Sequence, residues 1–171
     1  MAEKACAQGS GLRAPGRLHR PSCDGSVRPH LIAHSLNIQQ VIYSSRPLPN
    51  LTLKEVDEIV GSAQRYNQPR GITGRLLVVT RPDDDVLAFM QWIEGPALAI
   101  QGSLKRIVND SRHHAIHVVK DGPAEERSYP EWSMRQEVIP VHQLDRALAA
   151  AGMTGHVGAE GVIVVDAAIV D

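Results

Sequence analysis

The chain has few cysteines, few aromatic residues and almost no net charge. Its two cysteines, Cys6 and Cys23, both precede the first hydrophobic segment, so the core can contain neither a disulfide framework nor a cysteine-based zinc site. With 18 basic and 19 acidic residues, the formal charge of -1 provides no overall field to attract nucleic acid or an anionic membrane. We therefore expect a reducing, cytoplasmic location, no direct nucleic-acid partner, and recognition through a local site.

Long apolar runs are also missing. No run reaches the roughly 20 residues that a membrane-spanning helix needs, and the N-terminal segment lacks the apolar stretch of a secretory signal. We therefore expect no membrane association. Residues 1–34 are rich in Arg, Pro, Gly and Ser and have no hydrophobic period, which predicts a disordered tail. No phosphate-binding glycine pattern is visible, so nucleotide hydrolysis is not expected.

Hydrophobic periodicity predicts alternating strands and helices after this tail. LNIQQVIYSS predicts a buried strand, and Thr52 with Glu55 forms the capping box of a following helix. RLLVVT and VLAFMQWI flank the turn-forming RPDDD and predict a hairpin, after which a second helix begins near Pro96. AIHVVK and WSMRQEVI predict two further strands.

This order of elements, β-α-β-β-α-β-β, is typical of an α+β ferredoxin-like fold with one extra strand. It predicts a five-stranded mixed sheet with two helices on one face, in a domain covering residues 35–139. On the last predicted strand, Trp132 and Met134 alternate and are expected to share a face. Residues 140–171 are predicted to form a C-terminal extension, in which VHQLDRALAAAG indicates a short helix and GVIVVDAAIV favours a strand.

The apolar segment FMQWIEGP contains one amide side chain, Gln91. Burying an amide without partners costs about 1 to 3 kcal/mol, so Gln91 needs both a donor and an acceptor. The first and third strands of a ferredoxin-like sheet are neighbours, which brings Tyr43 within reach of Gln91. A purely structural pair would explain this arrangement, but the nearby aromatic residues Phe89, Trp92 and Trp132 indicate a site for a flat ligand.

Other polar residues have simple alternative explanations. Asn67 follows the first helix, where Asn often adopts the left-handed conformation that ends helices. His113, His114 and His117 are candidate metal ligands, but a turn followed by a strand would point their rings apart, so no metal site is predicted.

Taken in order, the motifs VIYSS, RYNQPRGITG, FMQWIEGP, IVNDSRHH and YPEWSM resemble those of the BLUF family, which are blue-light sensors that use flavin. The resemblance covers about residues 37–138, and its specificity lies in the joint occurrence of the motifs. It implies that FAD binds between the two helices, with the edge of its ring facing the sheet.

The resemblance also implies roles for individual residues. Tyr43 matches the photoactive tyrosine and Gln91 the essential glutamine, so light would transfer an electron and a proton from Tyr43 to the flavin and rearrange the hydrogen bonds of Gln91. Trp132 and Met134 would relay this change through the last strand. The other residues expected to contact the cofactor are Ile59, Tyr66, Asn67, Phe89, Arg106, Asp110 and Arg112. The last three are equally explained as solvated charges at a helix end.

The chain is thus expected to be a non-enzymatic photoreceptor that signals to an unidentified downstream protein and forms a homo-oligomer. Residues 140–171 would be its output or dimerisation element. Tyr66 departs from the family pattern, because related proteins often have His or Asn there. Two alternatives remain open, namely a light-independent ferredoxin-like domain for binding or oligomerisation, and a small flavin enzyme.

Overall fold

A computed structural model describes residues 38–168, so the tail predicted at 1–34 lies outside the described residues. The regular elements in chain order are β1 (Ile38–Pro47), α1 (Leu53–Asn67), β2 (Thr73–Thr80), β3 (Val86–Pro96), α2 (Ala97–Val108), β4 (His113–Ala124), β5 (Arg135–Pro140), α3 (Leu144–Ala149), β6 (Met153–Val157) and β7 (Ile163–Ala168). Short 3-10 turns at Gln68–Arg70 and Val141–Gln143 follow α1 and β5.

The main sheet has five strands in the order β4-β1-β3-β2-β5. β1 pairs antiparallel with β3 and β4, and β2 pairs antiparallel with β3, whereas β2 and β5 are parallel. The predicted mixed, ferredoxin-like sheet is therefore confirmed. β1 and β3 are adjacent near its centre, and Tyr43 lies directly opposite Gln91 in their register.

The first helix begins at the predicted capping box. The Thr52 hydroxyl accepts from the backbone N–H of Glu55 at 3.3 Å, and the Glu55 carboxylate accepts from the backbone N–H of Thr52 at 2.8 Å. These bonds satisfy N–H groups that the first helical turn leaves free. At the other end Asn67 keeps a right-handed φ of -73°, so the left-handed conformation expected there is wrong. Gly71, with a φ of 63°, adopts it instead.

The sheet has two buried faces with different coverings. On the helix-side face, α1 and α2 pack over a core of Val41, Tyr43, Val56, Val60, Ile72, Leu76, Val78, Phe89, Ile93, Ile100 and Met134. On the far face, the C-terminal elements pack over Ile42, Leu77, Val79, Ala88, Met90, Trp92, Ile139, Leu144, Leu148, Met153 and Ile163. The placement of both helices on one face is confirmed, and the extension covers the opposite face.

The segment WSM does not belong to the last strand, because β5 begins only at Arg135. Met134 is buried at 1% exposure in the helix-side core, whereas Trp132 is 48% exposed. The expectation that Trp132 and Met134 share a face is therefore wrong. Strand alternation does not constrain them, since they lie in the loop that precedes the strand.

Trp92 was expected near the predicted ligand site but lies on the far face. There its ring packs edge-on against Tyr129, with 6.2 Å between ring centroids. The physical reason is the strand period of two, which turns Trp92 away from the side that Gln91 faces.

The C-terminal extension folds as the short helix α3 followed by the antiparallel hairpin β6–β7. The strand predicted for GVIVVDAAIV is confirmed at Ile163–Ala168. Within residues 38–168, no helix is long and apolar enough to cross a membrane.

Candidate functional site

A cavity of about 480 Å³ opens between α1, α2 and the helix-side face. Its volume is typical of small-molecule sites, which span roughly 300 to 1,000 Å³. The predicted site residues that line it are Tyr43, Ile59, Tyr66, Asn67, Phe89, Gln91, Arg106, Asp110, Arg112 and Met134. Trp92 and Trp132, which were also expected near the ligand, are not among its lining residues.

A chain of three side chains crosses the wall of this cavity. The Tyr43 hydroxyl donates to Gln91 Oε1, and Gln91 Nε2 donates to the Met134 sulfur at 3.3 Å. Each link comes from a different element, because Tyr43 is on β1, Gln91 on β3, and Met134 immediately before β5. The buried glutamine amide therefore has both of the partners that it needs. Its carbonyl oxygen accepts from Tyr43, and its NH2 group donates to Met134.

Burial fixes the protonation state of Tyr43. Loss of solvation raises the pKa of its hydroxyl far above the usual value, and the negative charge of Asp110 raises it further. The phenol therefore stays protonated at any physiological pH. The protonated hydroxyl donates to Gln91 Oε1 in this arrangement. A neutral phenol can also accept, so burial alone does not fix the direction of this bond.

The segment that carries Met134 is attached to α1 by two amide side chains. Asn67 Nδ2 donates to the carbonyl of Ser133 at 2.8 Å, and Gln64 Nε2 donates to the carbonyl of Met134 at 2.9 Å. The side-chain amide of Asn67 still has a second N–H and its oxygen Oδ1 for another partner. Asn67 thus borders the cavity and also positions Met134.

Two polar atoms in the cavity wall have no hydrogen-bond partner among the described residues. They are Ser45 Oγ and His113 Nδ1, and both are buried. Both atoms are shielded from the open cavity, so they do not by themselves indicate a ligand, although unpaired buried polar groups are unusual. Ser45 was not among the predicted site residues, although its position two residues beyond Tyr43 puts both on one face of β1.

His113 lies beside Tyr43, with 6.3 Å between their ring centroids. Burial lowers the pKa of its imidazole, an effect that the nearby Asp110 carboxylate partly opposes. A neutral ring at this position can present an acceptor nitrogen to a ligand. In the part of the chain that the structure describes, no cluster of three or more His, Cys, Asp or Glu side chains could hold a metal ion.

The side of the cavity near the C-terminal end of α2 is positively charged. Lys105, Arg106 and Arg112 line it, and Asp110 is the only carboxylate in its lining. The Arg112 guanidinium donates to both oxygens of Asp110, at 2.8 and 2.5 Å, and these bonds lower the pKa of the carboxyl. Because Arg112 already neutralises Asp110, the charges of Lys105 and Arg106 remain available to an anionic ligand.

Tyr66 connects this charged side to α1. The guanidinium carbons of Arg70 and Arg106 each lie 3.8 Å from the centroid of its ring. Such contacts hold the arginine side chains through the faces of their guanidinium groups, and Arg70 also donates to the backbone carbonyl of Tyr66 at 2.8 Å. The cavity therefore combines an apolar interior, the side-chain amides of Asn67 and Gln91, and a cationic side. This combination fits a flavin nucleotide with its planar polar ring and anionic phosphates.

Comparison with known proteins agrees with this fit. The model of the family BLUF, described as sensors of blue light using FAD, matches residues 38–135. Photoactivated adenylate cyclase subunit beta from Euglena gracilis is 36% identical over 92 residues, which are 53% of this chain and 10% of that protein. The chain thus spans about a tenth of that relative's length.

Solved structures give the same result. BlrB, a BLUF protein in its dark state, is 31% identical with a TM-score of 0.55, and the match covers 67% of this chain and 80% of that one. A bacterial light-regulated adenylyl cyclase is 27% identical with a TM-score of 0.54, covering 59% of this chain and 28% of that one. The chain belongs to the BLUF family, the sensors of blue light that use FAD.

Proposed function

We propose that this protein is a blue-light photoreceptor whose switch is the hydrogen-bonded chain Tyr43–Gln91–Met134. The observation that carries the proposal is the position of this chain in the wall of a cavity that borders both helices and the sheet. Phe89 and Ile59 would contact the flavin ring, and Asn67 and Gln91 would bond its polar edge. Bound FAD would supply absorption of blue light and, once excited, an acceptor for one electron.

Tyr43 suits the role of donor because a phenol can lose an electron and its proton together. The proton has a defined path, since the hydroxyl already donates to Gln91 Oε1. After this transfer, the electron and the proton would return to Tyr43 by recombination. No substrate would be consumed in this cycle. The lasting chemical change would be a new orientation or tautomer of the Gln91 amide.

A rearrangement of the Gln91 amide would change its contact with Met134. If the Gln91 amide turned over, its oxygen would face the Met134 sulfur, and two acceptors would then oppose each other. Met134 would lose the N–H that it accepts at 3.3 Å. We infer that Met134 and the segment before β5 respond to light, whereas the half-exposed Trp132 follows through its backbone.

The cationic side of the cavity predicts a preference among flavins. Arg106→Gln should weaken FAD binding about two- to fivefold, the effect expected of one exposed charge contact. Riboflavin affinity should be nearly unchanged, because riboflavin has no phosphate for Arg106 to contact. Titration of the apoprotein with each flavin, followed by fluorescence quenching, measures both dissociation constants.

Arg70→Gln is the matched control for this prediction. Arg70 stacks on the same Tyr66 ring but is not among the residues that line the cavity. Its replacement should leave the ratio of FAD to riboflavin affinity at the wild-type value. Equal losses in both variants would show that Arg106 acts only through Tyr66 or through overall charge.

The C-terminal extension is the proposed output element. It covers the far face of the sheet, and the backbone N–H of Ile163 on β7 donates to Ser44 Oγ at 2.6 Å. Ser44 is fully buried and follows Tyr43 on β1. A shift of β1 at Tyr43 would therefore reach β7 through one bond, and we propose that residues 140–171 pass the signal to a downstream protein or to a second copy of the chain.

Ser44→Ala tests the attachment of this element. The substitution leaves the buried Ile163 N–H without an acceptor, which should destabilise the β6–β7 hairpin by about 1 to 3 kcal/mol. Amide hydrogen exchange should show faster exchange across Met153–Val157 and Ile163–Ala168, with an unchanged light-induced red shift. Wild-type protection of the hairpin would contradict the attachment.

Absorption spectra of the FAD-loaded protein in the dark and under blue light separate the proposed function from its alternatives. A reversible red shift of the flavin bands with no added substrate is expected, because the flavin's hydrogen bonds change while its oxidation state does not. A light-independent binding domain would not retain FAD and would stay colourless. A flavin enzyme would bleach or consume a reductant instead.

A further inference from the structure

Glu94 is a fully buried carboxylate on the far face of the sheet, away from the cavity. It is 0% exposed and accepts from Gln40 Nε2 at 2.7 Å, from the backbone N–H of Ser128 at 3.0 Å, and from that of Tyr129 at 3.2 Å. No basic side chain of residues 38–168 forms an ion pair with it. Only an all-acceptor group can satisfy three N–H donors at once, which explains a carboxylate at this position.

The group that Glu94 holds is the connection between β4 and β5. Arg127, in the same connection, donates to the carbonyl of Glu94 at 2.8 Å, to the carbonyl of Gly71 at 2.7 Å, and to Thr73 Oγ1 at 2.7 Å. Both the side chain and the backbone of Glu94 therefore attach residues 127–129 to the sheet. These contacts join positions far apart in sequence, so they fix the path of the connection across the end of β3.

The same connection then reaches the cavity. Five residues beyond Tyr129, Met134 contacts Gln91 from the helix-side face. Between these points, the carbonyl of Trp132 accepts from the N–H of Gly74 at 2.9 Å. Gln91 and Glu94 are three residues apart on β3 and face opposite sides of the sheet. Glu94 therefore binds the start of the segment 128–134 on the far face, and Gln91 contacts its end, Met134, on the helix-side face.

We propose that Glu94 is a positioning residue for the photoreceptor switch, because it sets the contact between Met134 and Gln91 by fixing the far end of the Met134 segment. This inference rests on the function proposed above. In the dark arrangement the anchored segment holds the Met134 sulfur beside the Gln91 N–H. Weakening the anchor makes the dark arrangement less favourable relative to the light-induced one, so the light-induced state should persist longer.

Glu94→Gln is the direct test, measured on the FAD-loaded full chain. The amide has one acceptor oxygen, and its NH2 group must face at least one of the three donors, so the anchor is lost with little change in volume. The red shift should still form, and its decay in the dark should slow by about fivefold or more, as expected for one lost buried hydrogen bond. A decay rate within twofold of wild type, or a faster one, overturns the inference.

A double-mutant cycle tests whether Glu94 acts through Met134. Met134→Leu keeps an apolar side chain of similar volume but removes the sulfur acceptor. In that background Glu94→Gln should change the decay rate by less than about twofold, since coupled residues are non-additive. Multiplicative effects would show that Glu94 influences decay by another route and would overturn the inference.

Two further variants exclude a general structural effect. Combining Gln40→Glu with Glu94→Gln restores a bond between these two side chains and leaves the amide oxygen for Tyr129, but it does not restore the acceptor for Ser128. Slow decay should persist, and a return to the wild-type rate would overturn the inference by assigning the effect to the β1–β3 pair alone. Val79→Ala removes far-face core packing outside both the connection and the C-terminal extension and should leave the decay rate unchanged, whereas equal slowing would overturn the inference.

Arg127→Gln provides the same test if Glu94→Gln does not fold. It removes three bonds of the connection without burying a new polar group, and it should slow decay in the same direction as Glu94→Gln. Normal decay in Arg127→Gln overturns the inference. A wild-type protein with no red shift would overturn the photoreceptor function and this inference together, whereas a red shift with normal decay in these variants overturns this inference alone.

Discussion

Replacing Tyr43 by Phe should abolish the light-induced red shift while the protein still binds FAD. The ring of Tyr43 is buried at 3% exposure in the helix-side core, and Phe keeps nearly all of its volume. What the variant lacks is the hydroxyl that donates to Gln91, and with it the transferable proton. Its stability should fall by about 1 to 3 kcal/mol, because the buried Gln91 carbonyl oxygen loses its donor. Absorption spectra before and after blue illumination measure the effect.

The matched control is Tyr129→Phe. That hydroxyl also has a buried partner, since Arg75 donates to it at 3.2 Å, but it lies on the far face. The control should show a normal red shift. A normal red shift in Tyr43→Phe would rule out Tyr43 as the donor, whereas loss of FAD would show that the hydroxyl is needed for binding.

Replacing Gln91 by Leu should also eliminate the red shift, for a different reason. Leucine can neither accept from Tyr43 nor donate to Met134, so both links of the chain are broken. The apolar side chain suits its buried position, which limits the destabilisation to the unpaired Tyr43 hydroxyl, about 1 to 3 kcal/mol. FAD content after purification and the light-minus-dark spectrum give the two readouts.

Gln64→Leu is the control for this second prediction, because it removes another amide that contacts Met134 from outside the cavity lining. A red shift should still form in this variant. If Gln91→Leu retained a normal red shift, Gln91 would not be the switch. If it lost FAD completely, Gln91 would act chiefly in binding.

Most of the fold was predictable from local patterns. The capping box at Thr52 and the strand-helix alternation gave the ferredoxin-like order, and that order places β1 beside β3, which brings Tyr43 opposite Gln91. The period of two within β3 also contained the information that Trp92 points away from Gln91. The capping box and the strand period depend only on residues close together in sequence. The pairing of β1 with β3 follows from the ferredoxin-like strand order.

Features that depend on irregular backbone were not predictable. Met134 and Trp132 differ in burial because they lie in a loop, where no periodicity relates one side chain to the next. The Glu94 bonds to residues 128 and 129 likewise join a strand to an irregular connection. The Ser44 bond to Ile163 depends on how the C-terminal hairpin docks, which strand propensity alone does not specify.

The central claim is that light rearranges the hydrogen bonds of the Gln91 amide. A light-minus-dark infrared difference spectrum of the FAD-loaded protein, isotope-labelled at its glutamine side-chain amides, tests this most directly. We expect isotope-sensitive amide bands that appear with the red shift, decay with it, and persist in Gln64→Leu. A red shift that forms and decays with no isotope-sensitive glutamine band would contradict the account.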